Sequence, residues 1–538
     1  MATFHILNFG CRASQADGAA LKQQLLQAGL EEAANLEDSA VAVLNTCTVT
    51  ASADAEVRQF VRRIHRRNPH CKILVTGCYA QRAPHEIAKL DGVAWVVGNS
   101  HKHLVSTILS TPTGRDTGHE IQDTGKTAAN RGVPLEESGD RLFAQPNYQG
   151  NEHSITQHAS QTGTPLVQIH GNSSLPTSDS GPFSPDLHFS RSPAPSPQLL
   201  TSGSADIFVG EITPEFHFAS VFADDRTRPT LKIQDGCDAR CSFCIIPTVR
   251  GQSRSLPPQT VLEQVRQLED SGYREVVLSG INLGGYGRDL DRSISFLGMV
   301  ERILRETSIA RIRISSIELM DVSPALIRLV ATEPRMAQHF HVPLQSGCDR
   351  ILRLMNRRYW TTHYAERMLA IHEQIPNAAL GADVMVGFPG ETDQDHSGSL
   401  RFIESIPFTY LHIFPYSARP GTPAATSPAQ VNGRVARERS QEIRAVIDAK
   451  RQAFLAAQVG QILPALTLDE TQEDDRIALT TNYLKVSLPG WDLPPNRLIN
   501  VMIGRVNSGQ LFGYEEGARA MSVGMEQYWK SSALTGGA

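Results

Sequence analysis

The amino-acid sequence predicts an α/β protein with three folded parts: an N-terminal parallel α/β sheet domain, a central partial (β/α)6 barrel and a C-terminal small β-barrel. Three observations support this fold class. Strand-like apolar runs alternate with helix-like stretches over the first hundred residues, and they do so again from about residue 225 to 425. Such alternation is typical of parallel sheets. After Gly460 the chain changes to short strand-like runs separated by turn residues, which indicates a small barrel or antiparallel sheet.

Length and composition limit the function classes. The chain has 538 residues, a hydrophobic content of 40% and a net charge of -5, so it can hold about three domains, and any RNA binding must come from local basic patches. Eight cysteines in this length exclude a secreted disulfide scaffold. Because no signal-peptide pattern and no long apolar run occurs, we expect a cytoplasmic protein without a membrane span.

Each of the first three predicted strands in the N-terminal domain, residues 1–108, ends close to a cysteine. These cysteines are Cys11, Cys47 and Cys78. The carboxyl ends of parallel strands converge on one edge of a sheet, where ligands bind. We therefore expect the three thiols to gather and to hold an iron–sulfur cluster, although three half-buried core thiols are the alternative. The strands are predicted at 4–9, 41–44, 72–76 and 93–97, and the helices near 14–28, 51–67 and 83–90.

The predicted helix after Cys47 is rich in arginine. A charge run of this kind is either a solvated helix face or a surface that contacts phosphates, and the sequence leaves both open. The residues are Arg58, Arg62, Arg63, Arg66 and Arg67.

Residues 109–222 are predicted to be a disordered insert or linker. Ser, Thr, Gly, Pro, Gln and His dominate there, as in residues 190–197. Such a stretch buries too little apolar surface to offset the entropy of ordering it. Its scattered histidines are interpreted as solvated residues and not as metal ligands.

Three further cysteines follow the first predicted strand of the central domain, residues 223–457. Cys237, Cys241 and Cys244 have the spacing C-x3-C-x2-C, and three thiolates can hold three irons of a [4Fe-4S] cluster. The fourth iron would stay open to a small molecule. A structural zinc site is the alternative, but such sites close with four ligands and no fourth Cys or His lies nearby. The strands of this domain are predicted at 230–234, 275–279, 311–315, 339–342, 380–386 and 410–414.

The βα loops of a barrel carry its reactive residues, and here they are rich in glycine and polar residues. Glycine lets the backbone approach a cofactor, and polar side chains can bond its ribose, amine or carboxylate. The candidate cofactor-binding residues are Phe243, Gly280, Asn282, Glu318 and Gln345. Cys71 and Cys348 are expected to be structural.

The C-terminal part begins with a predicted Arg-rich helix over about 428–457. Four short strands are predicted after it, at 462–468, 477–480, 484–488 and 500–506. Small barrels of this kind often present RNA-binding surfaces. The alternative to RNA binding is that residues 458–528 form an appendage that stabilises the protein or mediates dimerisation.

Taken together, these motifs resemble those of the radical S-adenosylmethionine (SAM) methylthiotransferase family, over nearly the whole chain outside the insert. Within the family the sequence is most similar to the branch that acts on threonylcarbamoyladenosine in tRNA, through residues 45–50, 279–287 and 315–318. The family motifs are matched by Phe9-Gly-Cys11, Asn45-Thr-Cys47, Thr76-Gly-Cys78-Tyr-Ala-Gln81, the Cys237 to Cys244 run with Ile245-Ile-Pro247 and Arg250-Gly251, and Leu344-Gln-Ser-Gly347.

The resemblance implies an enzyme with two [4Fe-4S] clusters and SAM, and a C-terminal RNA-binding domain of the TRAM type. It implies that the cluster on Cys237, Cys241 and Cys244 cleaves SAM to a 5′-deoxyadenosyl radical, and that the second cluster presents sulfur. The product would be a 2-methylthio group on threonylcarbamoyladenosine at position 37 of tRNA. The implied partners are the tRNA anticodon stem-loop and an electron donor of the flavodoxin or ferredoxin type, with an unassigned sulfur donor.

Three other functions stay open from the sequence. Two are methylthiolation of isopentenyladenosine in tRNA and methylthiolation of an aspartate in a ribosomal protein. The third is a non-catalytic iron–sulfur protein that binds RNA. The six polar loops of the predicted barrel argue against the last, because such a protein would not need them.

Overall fold

The computed structural model describes residues 3–110, 205–216, 227–291, 293–472, 475–489 and 493–517. These residues belong to one compact unit. Most of the predicted insert, 111–204 and 217–222, lies outside the described residues, as does the end of the predicted C-terminal domain beyond residue 517.

The N-terminal domain is built on a six-stranded parallel sheet in the order β2-β1-β3-β4-β5-β6. Asn8 pairs with Asn45, and Asn45 pairs with Thr76. Strands β1, β3 and β4 therefore end level with one another, and the three cysteines follow them at one edge. The strands are β1 Thr3–Asn8, β2 Glu31–Glu32, β3 Val41–Thr46, β4 Lys72–Gly77, β5 Val93–Gly98 and β6 Asp206–Phe208.

Helices cover this sheet. Helix α2 begins where the Thr50 side chain accepts a hydrogen bond from the Ala53 backbone N–H, which caps the first turn. Its buried residues Val57, Val61 and Ile64 recur at helical spacing, so one apolar stripe faces the sheet. The helices are α1 Arg12–Gln27, α2 Ala51–Arg67, α3 Cys78–Arg82, α4 Pro84–Ile87 and α5 Val105–Ser110.

Strand β6 corrects the predicted end of the insert. We expected residues 109–222 to be disordered, but 206–208 form a strand that pairs in parallel with β5, and α5 extends to Ser110. Ala205 and Ile207 are buried in the apolar cluster of the domain. These few apolar residues complete the sheet, which is why they are ordered despite their polar surroundings in sequence.

The central domain is a partial (β/α)6 barrel, as predicted. Its six main strands form two parallel sheets, β11-β10-β7 and β12-β13-β14, joined by parallel bridges that include Ser316 to His341. Strands β7 and β14 are the two edges, and α1 of the N-terminal domain contacts β7. The strands are β7 Thr230–Lys232, β8 Gln234–Asp235, β9 Arg254–Ser255, β10 Glu275–Ser279, β11 Arg311–Ile314, β12 His339–His341, β13 Ala379–Val386 and β14 Tyr410–Pro415.

The barrel helices enclose one large apolar core. Several begin at a side-chain cap, such as Ser295 before α8 and Thr392 before α12. They are α6 Ile246–Arg250, α7 Pro258–Asp270, α8 Phe296–Glu306, α9 Pro324–Thr332, α10 Asp349–Leu354, α11 Thr361–Gln374, α12 Asp393–Ser405 and α13 Gly433–Ala456.

The C-terminal domain is a closed five-stranded barrel in the order β15-β16-β17-β19-β18. Four strands were predicted, and the fifth, β19, was not. It contains Gly513, which weakens a strand pattern but is needed here, because a Cβ at this position would lie 2.6 Å from the Met502 carbonyl oxygen. The strands are β15 Ile462–Gln472, β16 Asp475–Thr480, β17 Lys485–Leu488, β18 Leu498–Asn507 and β19 Gln510–Glu515.

A buried charge cluster joins this barrel to the central domain. Glu275 accepts from Arg313 Nε at 2.8 Å, and Arg311 lies 3.5 Å from the same carboxylate. Arg313 also donates to the carbonyl oxygens of Thr480 and Thr481 at 3.1 and 3.3 Å. The start of the central strands is thereby bonded to the backbone of the C-terminal barrel.

In the described part of the chain, no helix combines the length and the apolar character needed to cross a membrane.

Candidate functional site

The first thiol triad lies where β1, β3 and β4 end. Cys47 and Cys78 are buried and Cys11 is exposed. Burial raises the pKa of Cys47 to about 12, and the neighbouring Cys11 and Cys78 thiols add to the increase. Because β1, β3 and β4 end level with one another, the cysteines that follow them lie on neighbouring strands at one edge of the sheet.

Gly10 allows this approach. Its φ is +99°, a conformation that favours glycine. A Cβ at Gly10 would lie 2.8 Å from the Cys47 Sγ. A larger residue would therefore push Cys47 out of the triad.

The second thiol triad lies in the loop between β8 and α6. The Cys237 backbone N–H donates to the Gly251 carbonyl oxygen at 3.0 Å, and the Cys244 N–H donates to the Cys241 carbonyl oxygen at 3.1 Å. Burial raises the pKa of Cys244 to about 12, with further contributions from Cys241 and Cys237. The loop is thus held by backbone hydrogen bonds at Cys237 and Cys244.

Each triad offers three free thiols as donors. Among the described residues, no three Cys, His, Asp or Glu side chains close around one metal ion. Three thiolates can each bind one iron of a [4Fe-4S] cluster, so the donor set of each triad fits such a cluster.

The first triad lies at the interface of the N-terminal and central domains. Cys78 packs against Ile245, which directly follows Cys244, and against Val249 of α6. Asn99 donates to the Val249 carbonyl oxygen at 2.8 Å, and its Nδ2 also lies 3.5 Å from the Cys78 Sγ. The first triad therefore sits against the helix that begins just after Cys244.

A buried ion network surrounds the Cys78 side of this interface. Arg250 contacts the Cys78 Sγ through Nε at 3.3 Å, Asp235 at 2.9 Å and Asp17 at 3.0 Å. Lys102 pairs with Asp17 at 3.0 Å. Asp17 comes from the N-terminal domain and Arg250 and Asp235 come from the barrel, so the network joins both. Its remaining cations are Lys232, paired with Asp17 and Asp235, and Arg254, paired with Asp235.

The network carries more positive than negative charge. Four cations face the two carboxylates. Burial raises the pKa of the Asp17 carboxyl, but Lys102, Lys232 and Arg250 outweigh it and hold that pKa well below its usual range. The Cys78 Sγ lies within reach of one of these cations, the buried guanidinium of Arg250.

The candidate cofactor residues lie in the barrel loops, in different settings. A Cβ at Gly280 would lie 2.9 Å from Gln234 Oε1, and that same oxygen accepts from the Asn282 backbone N–H at 2.7 Å. Position 280 therefore requires glycine because the Gln234 side chain packs against it. Phe243 makes an edge-to-face contact with Phe388 at 6.3 Å between ring centroids, inside a small apolar cluster.

Glu318 lies beside the second triad. Arg357 bonds its carboxylate and lies 3.3 Å from the Cys241 Sγ through Nη1. The guanidinium thus connects Glu318 to the thiol loop.

Comparison with known proteins decides the family. Residues 3–98 match the family described as "Uncharacterized protein family UPF0004", and residues 231–403 match the "Radical SAM superfamily". The chain is 31% identical to the "Threonylcarbamoyladenosine tRNA methylthiotransferase MtaB" of Bacillus subtilis, over 96% of each chain. The protein of the same name from Aquifex aeolicus is also 31% identical, over 92% of this chain and 98% of that one.

The chain belongs to the radical SAM methylthiotransferase family. A "tRNA-2-methylthio-N(6)-dimethylallyladenosine synthase" from Natranaerobius thermophilus is 28% identical, over 95% of this chain and 96% of its own length. A solved structure of the radical SAM methyltransferase TsrM from Kitasatospora setae has a TM-score of 0.46 and 11% identity, over 84% of this chain and 89% of that one. Likeness of that degree says nothing about the site.

Radical SAM membership implies a [4Fe-4S] cluster and SAM, and the barrel interior has polar atoms free to bind a ligand. Among the described residues, Asn282 Oδ1, Gln345 Oε1 and His341 Nε2 are buried and have no hydrogen-bond partner. Buried polar atoms are normally bonded. Their lack of partners fits a polar ligand in the barrel of this methylthiotransferase.

The sequence did not single out several residues of the radical SAM barrel interior. The pKa of Asp383 is raised to about 6, mainly by burial and to a smaller extent by the charge of Glu318. The pKa of His341 is lowered to about 3, mainly by burial and to a smaller extent by His412. The only available signal was their position on β13 and β12, because an isolated Asp or His inside an apolar strand has several ordinary explanations.

Cys71 and Cys348 lie outside both triads. The Cys71 thiol is buried in the sheet core, 3.6 Å from Ser39 Oγ. Cys348 lies 3.2 Å from the Asp395 carboxylate. Both have local partners, which supports a structural role.

The Arg-rich helix α2 is divided in its contacts. Arg58 bonds Tyr79 and Glu86, and Arg67 bonds Glu37. Arg62 and Arg66 are exposed. Part of the charge run is thus taken up within the domain.

Proposed function

We propose that this protein adds a methylthio group to position 2 of threonylcarbamoyladenosine at position 37 of tRNA. The names of its two 31% identical relatives support this substrate. The observation that carries the proposal is the packing of Cys78 directly against Ile245 and Val249, which follow the second set of cysteines. A sulfur-delivering centre and a radical-generating centre must be close to one another for this reaction.

Cys237, Cys241 and Cys244 hold one [4Fe-4S] cluster in this proposal, and Cys11, Cys47 and Cys78 hold a second. When bound, such a cluster with SAM supplies one-electron cleavage of the sulfonium, which yields a radical able to remove hydrogen from an aromatic C–H. The chain stabilises each triad with a guanidinium: Arg357 at Cys241 and Arg250 at Cys78. Charge-assisted bonds to thiolate are stronger than neutral ones.

The barrel interior orients SAM. Asn282 and Gln345 offer buried carbonyl oxygens that accept from the amino group or ribose of SAM. The Arg357 and Glu318 pair lies beside Cys241. Gly280 and Phe243 are the other residues that hold SAM in this proposal, and the Phe243 ring packs edge-to-face on Phe388.

The tRNA anticodon stem-loop is the partner in this proposal. The C-terminal barrel, in the role of a TRAM-like domain, and the exposed arginines of α2 supply phosphate contacts. The electron donor is of the flavodoxin or ferredoxin type, and the reducing setting that iron–sulfur ligands need is cytoplasmic.

The test is mass spectrometry of tRNA nucleosides from cells lacking the protein. The 2-methylthio form of threonylcarbamoyladenosine should disappear and its precursor should accumulate. Loss of the 2-methylthio isopentenyladenosine signal instead, or loss of a methylthio group from a ribosomal protein, would replace the proposed substrate.

The triads are tested by triple substitution to Ala in anaerobically reconstituted protein. Replacing Cys237, Cys241 and Cys244 should abolish 5′-deoxyadenosine formation. Replacing Cys11, Cys47 and Cys78 should preserve that reaction, stop methylthiolation and lower iron per chain by about half. The control is Cys348→Ala, which should change neither reaction. A Mössbauer spectrum with a single cubane in the unsubstituted protein would contradict the second cluster.

A further inference from the structure

Arg12 directly follows Cys11, and its side chain reaches a residue of the C-terminal barrel. Its Nη2 donates to the Tyr483 hydroxyl at 2.9 Å. Its charge contributes to the lowered pKa values of His341 and His412, which lie on β12 and β14. One residue thus connects the first triad to the barrel interior.

This guanidinium has no carboxylate partner among the described residues, unlike its cationic neighbours. Arg228 and Arg313 both pair with Glu275, at 3.5 and 2.8 Å. Arg12 bonds only the neutral Tyr483 hydroxyl. Because a guanidinium stays charged at any relevant pH, a half-buried one without a counter-charge is suited to bind an anion.

Space for a ligand lies next to Arg12. An open cleft of about 340 Å³ is lined by Arg12, by Arg228 and Thr230 at the start of β7, and by Asp469 and Glu470 of β15. Glu470 is already paired with Lys485, and neither acidic residue forms an ion pair with Arg12.

A second polar group nearby also lacks a partner. His341 is 6% exposed, and its Nε2 has no hydrogen bond among the described residues, although Asp383 lies 3.6 Å away. Its Nδ1 is bonded to Ser316 at 2.8 Å. A buried ring nitrogen without a bond points to a polar ligand at this place.

The chemistry of the substrate matches this position. In adenine, C2 and the N6 amino group flank N1 on the same edge. A group attached to N6 therefore lies a few ångströms from the carbon that receives sulfur. The threonylcarbamoyl group ends in a carboxylate, whereas a dimethylallyl group is apolar.

We propose that the Arg12 guanidinium binds the threonyl carboxylate and so determines selection of threonylcarbamoyladenosine over adenosines with an apolar N6 group. The inference rests on the proposed function and deepens it. Because Arg12 is adjacent to Cys11, the residue that would bind the N6 group lies beside the triad that presents sulfur.

The experiment uses reconstituted full-length protein and two synthetic anticodon stem-loop RNAs. One carries threonylcarbamoyladenosine at position 37, and the other carries its methyl ester, in which the carboxylate is neutral. Binding is measured by fluorescence anisotropy at one fixed salt concentration, because phosphate contacts depend on salt. The unsubstituted protein should bind the acid roughly ten- to a hundredfold more tightly than the ester, since bonds to a charged group contribute about 1.5–3 kcal/mol.

Arg12→Gln should remove this preference and bind both RNAs as the unsubstituted protein binds the ester. Its iron content and 5′-deoxyadenosine formation should be unchanged. If Arg12→Gln loses iron, Tyr483→Phe gives a second measurement, because it frees Arg12 without a change beside Cys11 and should reduce the preference several-fold. The control for loss of charge is Arg66→Gln, which should weaken the binding of both RNAs by the same factor.

An acid-over-ester preference that is undiminished in Arg12→Gln, or in Tyr483→Phe where that variant is used, overturns the inference. So does the absence of a preference in the unsubstituted protein. The proposed function is judged separately, by conversion of the acid RNA to its 2-methylthio product. If that product forms while the preference survives substitution, only the role of Arg12 is wrong; if no product forms, the proposed function itself fails.

Discussion

Gly10 shows how one residue without a side chain permits the first triad. Its positive φ and the closeness of Cys47 are independent reasons for glycine. Gly10→Ala should lower the free energy of unfolding by about 1–3 kcal/mol and should displace Cys47, so that iron per chain falls toward the value of one cluster. Iron analysis and urea unfolding measure the two effects.

Gly29→Ala is the matched control for this prediction. Gly29 also has a positive φ, +82°, but a Cβ there would have nothing within 4 Å. Gly29→Ala should lower the free energy of unfolding through backbone strain, and its iron content should stay that of the unsubstituted protein. Full iron in Gly10→Ala as well would mean that Gly10 does not control the triad.

Arg250 gives a second prediction at the residue scale. Its planar, fork-shaped guanidinium bonds Asp17, Asp235 and Cys78 together, and the ammonium of a lysine does not reproduce this fixed geometry. Arg250→Lys should destabilise the protein by about 3 kcal/mol, because buried charges lose their partner. Urea unfolding measures this. Arg240→Lys, at an exposed position, should leave stability unchanged, and an equal effect of both substitutions would contradict the network's role.

The grouping of the cysteines could be predicted from the sequence, and the identity of their charged neighbours could not. Cys11, Cys47 and Cys78 could be grouped because parallel strands of similar length end at one edge. Asp17, Lys102 and Lys232 could not, because each lies at an unremarkable position in its own element. Their relationship exists only where two domains pack, and no short spacing in the chain encodes it.

At the scale of elements, Glu275 at the start of β10 controls how the barrel strands meet the C-terminal domain. Burial raises the pKa of its carboxyl, but Arg313, Arg228 and Arg311 outweigh burial and lower it to about 2 from 4.5. Since the folded pKa is the lower one, the stabilisation is fully present above about pH 4.5 and is lost as the pH falls toward 2.

Glu275→Gln should therefore destabilise the protein at pH 7 by about 3 kcal/mol, through three arginines left without their carboxylate. The difference from the unsubstituted protein should shrink between pH 4.5 and 2. Chemical unfolding across this pH range is the measurement. Glu306→Gln, at a surface ion pair with Arg302, is the control and should show little effect, and a pH-independent difference for Glu275→Gln would contradict the ion-pair explanation.

Most elements were predictable, and the exceptions have physical reasons. Helix α2 and strand β10 were predicted with the bounds that the structure has, since their apolar patterns are strong and their ends are capped or polar. Strand β6 was missed because three residues carry little pattern and its partner β5 ends about a hundred residues earlier in the chain. Its pairing depends on the sheet edge and not on local sequence.

At the scale of the whole molecule, the Asp17 carboxylate couples the N-terminal domain to the barrel. It is shared by Lys102 from its own domain and by Lys232 and Arg250 from the barrel. Asp17→Asn should separate the unfolding of the two domains, because the cations lose their shared counter-charge. Calorimetry should then show an additional transition at lower temperature.

The matched control is Asp91→Asn, at an exposed position of the N-terminal domain, which should keep the unfolding profile of the unsubstituted protein. An unchanged profile in Asp17→Asn would show that apolar packing alone joins the domains.

The three-part organisation could be predicted at this scale, and the contacts between the parts could not. The alternation of strands and helices identified the sheet domain and the barrel, and the turn-rich pattern identified the C-terminal strands. By contrast, the contact between the central and C-terminal domains at Arg313 joins a side chain to the backbone carbonyl groups of Thr480 and Thr481. Carbonyl groups are the same at every residue, so the sequence contains no sign of that contact.

The shared carboxylate of Asp17 also restricts how such an enzyme can be rebuilt by exchanging modules between relatives. A chimera that joins this sheet domain to a foreign barrel would inherit Asp17 and Lys102 but would need its own equivalents of Lys232 and Arg250. Without them the junction would enclose a buried charge that has no partner. Transferring all four residues together should restore the stability of such a chimera, whereas choosing the barrel by sequence identity alone should not.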